Sequence, residues 1–128
     1  MSNAVLDASA LLALVQNEPG GDRVAAAVTS GAAISAVNLA EVIGKLQERG
    51  APEADIRAAL QPLRIAIMPM DTALAYRAGL LRMPTRAAGL ALGDRVCLAL
   101  AQQLGVPALT TDRVWATLGL GVTVTVIR

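Results

Sequence analysis

The chain has 128 residues, enough for one domain (residues 1–128) with a proper core. Hydrophobic residues make up 55% and aromatics only 2%, so the core must be built from Ala, Val, Leu and Ile, with apolar surface to spare for a partner or a second copy. The lack of histidine excludes Ser-His and Cys-His catalysis and the common zinc sites, one cysteine excludes an internal disulfide and suits a reducing cytoplasm, and a net charge of +1 decides nothing about nucleic acid.

The first apolar stretch, Ala4 to Leu6, predicts a short buried strand ending at Asp7. A helix follows from Ala8 to Gln16 and is broken by Pro19-Gly20-Gly21. Asp22 to Thr29 predicts a second helix with Asp22 as N-cap, and Ala32 to Ser35 a second strand. Leu39, Val42, Ile43 and Leu46 recur at helical spacing, which predicts a helix over Asn38 to Glu48, stopped by Gly50. Pro52 opens a helix to Leu60, and Arg64 to Met68 reads as a third strand. Asp71 to Leu81 is the next helix, with Asp71 simply its cap. Arg82 to Gly93 is the loosest stretch. Asp94 to Leu104 is a strongly apolar helix, Pro107 to Thr110 a fourth strand, Asp112 to Leu118 a short helix and Val122 to Ile127 a last β-branched strand.

Strands alternate with helices from end to end, so the expected fold class is α/β: a three-layer sandwich whose mainly parallel central sheet carries helices on both faces. No leader is visible, since Met1 to Ala4 carries no basic residue and Asp7 interrupts the first apolar stretch. The uncharged run from Val24 to Ala40 holds Thr29, Ser30, Gly31, Ser35 and Asn38, and reads as a helix end, a turn and a strand instead of a membrane span.

Asp7, Glu41, Asp94 and Asp112 each lie where a strand-like run ends or a helix-like run begins, in a chain with only ten acidic residues. Parallel α/β sheets place ligands outside the carboxyl ends of their strands, so these side chains can converge although they are far apart in sequence. Clustered carboxylates repel one another unless a cation sits among them, and an all-oxygen set suits Mg²⁺ or Mn²⁺. Simple capping accounts for the same spacing. Asn38-x-x-Glu41 resembles a capping box, Glu41 shares a polar face with Asn38, Lys45 and Glu48, and Asp94 and Asp112 would serve as helix caps. Asp7 tips the balance, because a charge directly after a buried strand is costly and Ser9 could have capped the helix without it. Ser9 is therefore either that cap or a supporting site residue. Thr110, two before Asp112, either bonds a carboxylate or is an ordinary strand residue. Arg95 and Arg113 each follow an acid and either contact phosphate or form salt bridges. Arg82 and Arg86 either line an RNA path or belong to a solvated loop. Cys97 reads as an inert buried thiol.

Four segments carry a resemblance over nearly the whole chain. They are Val5-Leu6-Asp7-Ala8-Ser9-Ala10-Leu11-Leu12, Ile34-Ser35-Ala36-Val37-Asn38-Leu39-Ala40-Glu41-Val42, Gly89-Leu90-Ala91-Leu92-Gly93-Asp94-Arg95-Val96-Cys97-Leu98-Ala99-Leu100-Ala101 and Leu109-Thr110-Thr111-Asp112-Arg113-Val114-Trp115. In this order and spacing the chain resembles PIN-domain proteins, specifically the VapC-type ribonuclease toxins of toxin–antitoxin pairs. The resemblance implies a sheet order 3-2-1-4-5 and a metal-dependent endoribonuclease inhibited by a small antitoxin. The family's acidic quartet falls on Asp7, Glu41, Asp94 and Asp112, as both catalytic and Mg²⁺- or Mn²⁺-binding residues, with Ser9, Thr110 and Arg95 in support. The expected partners are RNA, the antitoxin and a second copy of the chain, in the cytoplasm with no membrane. Two other phosphoryl-transfer folds fit less well. A haloacid-dehalogenase-like phosphatase wants an aspartate where Ser9 stands, and a receiver domain wants a late lysine where Lys45, in mid-chain, is the only one. A non-catalytic PIN-like binding module and a housekeeping RNA-processing nuclease remain as alternatives.

Overall fold

The computed structural model describes residues 2–128; Met1, on which part of the leader reading rests, lies outside the described residues. Five short strands form one parallel sheet in the order β3-β2-β1-β4-β5. They are β1 Ala4–Leu6, β2 Ala32–Ser35, β3 Ala66–Met68, β4 Ala108–Thr110 and β5 Val124–Val126. The helices are α1 Ala8–Val15, α2 Gly21–Ser30, α3 Ala36–Glu48, α4 Glu53–Leu60, α5 Thr72–Leu80, α6 Arg82–Thr85 and α7 Leu92–Leu104, with single 3₁₀ turns at Gln61–Leu63, Arg86–Ala88 and Arg113–Thr117. The expected three-layer α/β sandwich and the strand order implied by the resemblance are both present.

The sheet is covered on both sides because its strands alternate side chains between faces. Ala4, Leu6, Ala32, Ile34 and Leu109 face α1 to α4, where Leu11, Val24, Val42 and Ile56 complete one core. Val5, Ala33 and Ala108 face the other way, onto α5 and α7. Three small or β-branched residues on that side let α7 pack closely, and its Val96 to Ala101 segment is buried throughout. Fully buried Leu and Ile side chains such as Leu6, Leu98 and Ile34 each contribute roughly 1.5–3 kcal/mol of transfer free energy. No helix among the described residues is long and apolar enough to cross a membrane.

β1 is the central strand. It pairs with β2 on one side, Leu6 opposite Ile34, and with β4 on the other, Leu6 opposite Leu109. The chain leaves β1 toward β2 and returns later to β4, so the sheet order reverses between β1 and β4. In parallel α/β sheets the crevice at that reversal, outside the carboxyl ends of the strands, is where ligands bind.

The element boundaries differ from the sequence reading at several points. Helix α2 is started by Gly20, not Asp22, because the position needs a positive φ (+89°) close against the Ile127 carbonyl, and Asp22 instead lies in the first turn. Helix α3 starts at Ala36 because Ser35, the last residue of β2, caps it directly. Arg64 takes a left-handed conformation at the end of the 3₁₀ turn, so β3 begins only at Ala66. The loose stretch from Arg82 contains α6 and a 3₁₀ turn, and the Asp112 segment is a 3₁₀ turn. Asp71 caps α5 through Leu74 N–H, as expected of a simple cap.

Candidate active site

Asp7 follows the last residue of β1 and is the N-cap of α1. Its side chain is 5% exposed and saturated with donors. Oδ1 accepts from Ser9 Oγ at 2.7 Å and from Ala10 N–H at 2.8 Å, and Oδ2 accepts from Thr110 Oγ1 at 2.6 Å. Ser9 in turn accepts from Thr111 N–H at 3.0 Å, and Thr110 Oγ1 accepts from Asp112 N–H at 3.0 Å. One network therefore stitches the end of β1 to the end of β4 across the reversal of the sheet. The cap of α1 is thus Asp7, and Ser9 is a bridge in this network. Thr110 is also more than a strand filler, since its hydroxyl orients one acid and the backbone of another.

Asp94 stands at the third position of α7, where its Oδ2 accepts from Ala91 N–H at 2.9 Å. Arg95 Nη1 donates to Leu90 O at 3.0 Å, tying down the residue just before Ala91, while Arg95 Nε is buried without a partner. Asp112 caps the 3₁₀ turn, its Oδ1 accepting from Val114 N–H at 3.0 Å. Glu41, on the exposed side of α3, leans across to α7, and its carboxylate occupies the place a side chain at Gly93 would take. A Cβ there would lie 2.6 Å from Oε2. Asn38 Nδ2 donates both to Glu41 Oε1 at 2.8 Å and to Gly93 O at 3.0 Å.

The electrostatics reflect this crowding. Burial pushes the Asp7 carboxyl above the usual 3.8, with the Asp94 charge adding to the rise and the bonds from Thr110, Ser9 and Ala10 opposing it. Burial also raises Asp94, with the Asp112 charge adding, while Ala91 N–H and the Arg95 guanidinium pull it down. The Cys97 thiol is pushed well up, first by complete burial and then by Asp7, Asp94 and Glu41. It lies beneath the acids as an inert group, as read from sequence. Asp94 thus acts on Asp7 and is acted on by Asp112, while Asp7, Asp94 and Glu41 all act on Cys97.

They do not close into a cage. Among the described residues no group of three or more His, Cys, Asp or Glu side chains is drawn together tightly enough to hold a metal ion. Asp7, Asp94 and Asp112 are each turned to a local N–H donor. The donor set still suits a hard divalent ion: it is all carboxylate oxygen, it is partly desolvated, and its mutual repulsion would be relieved by a cation.

Of the two readings for Arg95 and Arg113, phosphate contact or salt bridge, the salt bridges are absent among the described residues; Arg95 is spent on a carbonyl and Arg113 is exposed. Arg82 and Arg86 are exposed as well. Trp115 is packed in the core, leaving Tyr76 as the exposed aromatic side chain. Sequence reasoning missed Asn38 and Gly93. Asn38 looked like part of a solvated face with Glu41, Lys45 and Glu48, yet it is 1% exposed because α7 crosses that end of α3. The available signal was an Asn one helical turn before a candidate acid, in a helix that starts directly from a buried strand.

Comparison with known proteins gives a consistent picture. A family model described as PIN domain matches residues 4–119. No curated protein matches the chain. Among solved structures it is similar to a toxin–antitoxin complex from Klebsiella pneumoniae, at 25% identity and TM-score 0.72 over 94% of this chain and 95% of that one. A VapBC-family toxin–antitoxin member from Mycobacterium tuberculosis aligns at 26% identity and TM-score 0.62, covering 98% of both chains. DNA-bound VapBC from Salmonella typhimurium aligns at 20% identity with TM-score 0.76, again over 98% of both, and shows likeness of fold alone.

Proposed function

The chain belongs to the PIN-domain family, and on that premise we propose that it is a metal-dependent endoribonuclease, the VapC-type toxin of a toxin–antitoxin pair. The proposal is carried by Asp7, buried at the reversal of the sheet where Ser9 and Thr110 bond its carboxylate, with its pKa raised by burial and by the Asp94 charge. Burying a carboxylate there is unfavourable for stability and is understandable as a binding feature. Likeness to toxin–antitoxin complexes at 25% and 26% identity supports the toxin assignment.

In this proposal Asp7, Glu41, Asp94 and Asp112 hold Mg²⁺ or Mn²⁺. When bound, such an ion lowers the pKa of a water and offsets charge on the phosphate oxygens. The remaining work falls to the chain itself. Ser9, Thr110 and Ala10 N–H fix Asp7 in one orientation before substrate arrives. With no histidine in the chain, a carboxylate receives the proton from the attacking water. Asp94 is the candidate for that role, with its Oδ2 tied to Ala91 N–H and its carboxyl raised by burial. Arg95 holds the Leu90–Ala91 backbone that presents that N–H. Arg113, Arg82 and Arg86 are exposed cations available to the RNA backbone.

The partner side of the proposal rests on apolar surface. An apolar groove of about 840 Å³ runs along α3 and α4, lined in part by Leu39, Ile43, Ile56, Leu60 and Ile67, and offers a seat for a small antitoxin. Leu80, 74% exposed, and Met83 give α5 and α6 an apolar face for a second copy. A cytoplasmic location accompanies the lone buried thiol. A PIN domain that binds without cleaving is the competing function, favoured by the separate capping roles of Asp94 and Asp112.

The test is a panel of structured RNAs and matched DNA oligonucleotides incubated with antitoxin-free protein and Mg²⁺ or Mn²⁺. RNA cleavage that EDTA abolishes, that weakens as salt rises and that Asp94→Asn removes is the expected result. No cleavage of any RNA with metal bound would favour the non-catalytic module. Equal cleavage of DNA would remove the ribonuclease assignment while leaving the nuclease chemistry. Cleavage by a protein with no inhibitory partner encoded beside it would favour a housekeeping role.

A further inference from the structure

We propose that Asn38 is a positioning residue that clamps the Glu41 carboxylate onto the start of α7, in a gap that Gly93 keeps open; this rests on the acidic-site proposal above. The clamp begins at Ser35. Its hydroxyl oxygen caps α3 by accepting from Asn38 N–H at 3.0 Å, and the same hydroxyl donates to Asn38 Oδ1 at 2.7 Å. Ser35 and Asn38 are both buried, so this contact is shielded from water. The side-chain amide is thereby oriented without ambiguity. Its oxygen meets the hydroxyl proton, and its two N–H groups meet two acceptors, Glu41 Oε1 and Gly93 O. Flipping the amide would set its oxygen against a carboxylate and a carbonyl.

The two acceptors belong to different helices. Asn38 therefore joins α3, the helix of Glu41, to the first turn of α7, the helix of Asp94, one residue from Asp94 itself. Glu41 is otherwise a long, exposed side chain with several rotatable bonds, and such a side chain left alone samples many rotamers. Asn38 and the open face of Gly93 select the one that points at the neighbourhood of Asp94. Gly93 does this sterically: its backbone is ordinary helix, and only the absence of a Cβ leaves space for the carboxylate. Polar groups that orient a metal-binding side chain typically alter affinity by about 10–100-fold when removed.

The experiment has one arm that needs no metal. In ¹⁵N-labelled, metal-free protein the Asn38 side-chain amide should give two resolved, slowly exchanging signals, and Glu41→Gln should shift them. In the second arm, Mn²⁺ affinity is measured by electron paramagnetic resonance for wild type, Asn38→Ala, Glu41→Gln and the double variant. Each single change is expected to weaken Mn²⁺ about 10–100-fold, and the double variant to be no weaker than Glu41→Gln alone. Asn38→Ser, which stays polar but is too short to reach Glu41, replaces Asn38→Ala if that variant fails to fold, and should weaken Mn²⁺ to the same degree. A freely exchanging amide indifferent to Glu41→Gln, or losses that multiply independently, would overturn the clamp while leaving the acidic site standing. A wild type that binds no Mn²⁺ while its Asn38 amide is protected would overturn both the acidic site and the positioning role that depends on it.

Discussion

Gly93→Ala separates the roles of packing and of site geometry. The added Cβ would lie 2.6 Å from Glu41 Oε2 and 2.7 Å from Cδ. Oε1 would lie closer still, and ordinary contact begins near 3.4 Å, so the carboxylate must retreat by roughly 1 Å. That is enough to stretch the 2.8 Å bond from Asn38 beyond hydrogen-bond range. The carboxylate is exposed and rehydrates when displaced, and Ala is a better helix former than Gly by up to about 1 kcal/mol. The two effects nearly cancel, so stability should change by less than about 1 kcal/mol, or about 4 °C in Tm. Activity has no such compensation. Misplacing a reacting group by about 1 Å costs on the order of 10²-fold, so cleavage should fall about 10- to 100-fold. The assay is Mn²⁺-dependent cleavage of a fluorogenic RNA, beside thermal denaturation in EDTA. A folded variant that cleaves at the wild-type rate would refute the placement of Glu41 in the site. A Tm drop beyond about 10 °C would assign Gly93 to packing instead.

Asp7→Asn should abolish cleavage without destabilising the metal-free protein. With the folded carboxyl raised above 3.8, the unfolded chain releases its proton first, so wild-type stability declines as pH climbs from 3.8 through the folded value. Urea midpoints should therefore favour the variant increasingly as pH rises above about 3.8 until the folded carboxyl is ionised, and a gap that shrinks over that rise would contradict the burial effect. Thr110→Val strips one donor from Asp7 and the acceptor of Asp112 N–H, and should cost about 1–3 kcal/mol in urea unfolding together with most of the activity. Ile43→Asp, in the apolar groove, should leave RNA cleavage intact and, in co-purification, abolish retention of the antitoxin proposed to sit there. Leu80→Glu should shift the light-scattering mass from dimer to monomer; a wild type that is monomeric at high concentration would remove the dimer.

By itself the sequence determined the alternation of strands and helices, because buried parallel strands read as short continuous apolar runs and helices as a 3.6-residue stripe. It also marked the four acids, since a charge set against a buried strand or a helix start breaks the local apolar pattern. Asp7 was legible in this way because a charge directly after a buried strand is costly, although its second role as the cap of α1 was not. Tertiary structure alone decided what those residues face. Asn38 and Glu41 share one face of α3, yet Asn38 is buried beneath the start of α7, bonded to Gly93 O, and Glu41 is exposed. The need for glycine at 93 arises from a side chain more than fifty positions away. The link from Thr110 to Asp7 exists only because β4 inserts beside β1, a long-range pairing with no local trace in the chain. Periodicity reports which residues face inward; contacts between distant segments settle which of them meet.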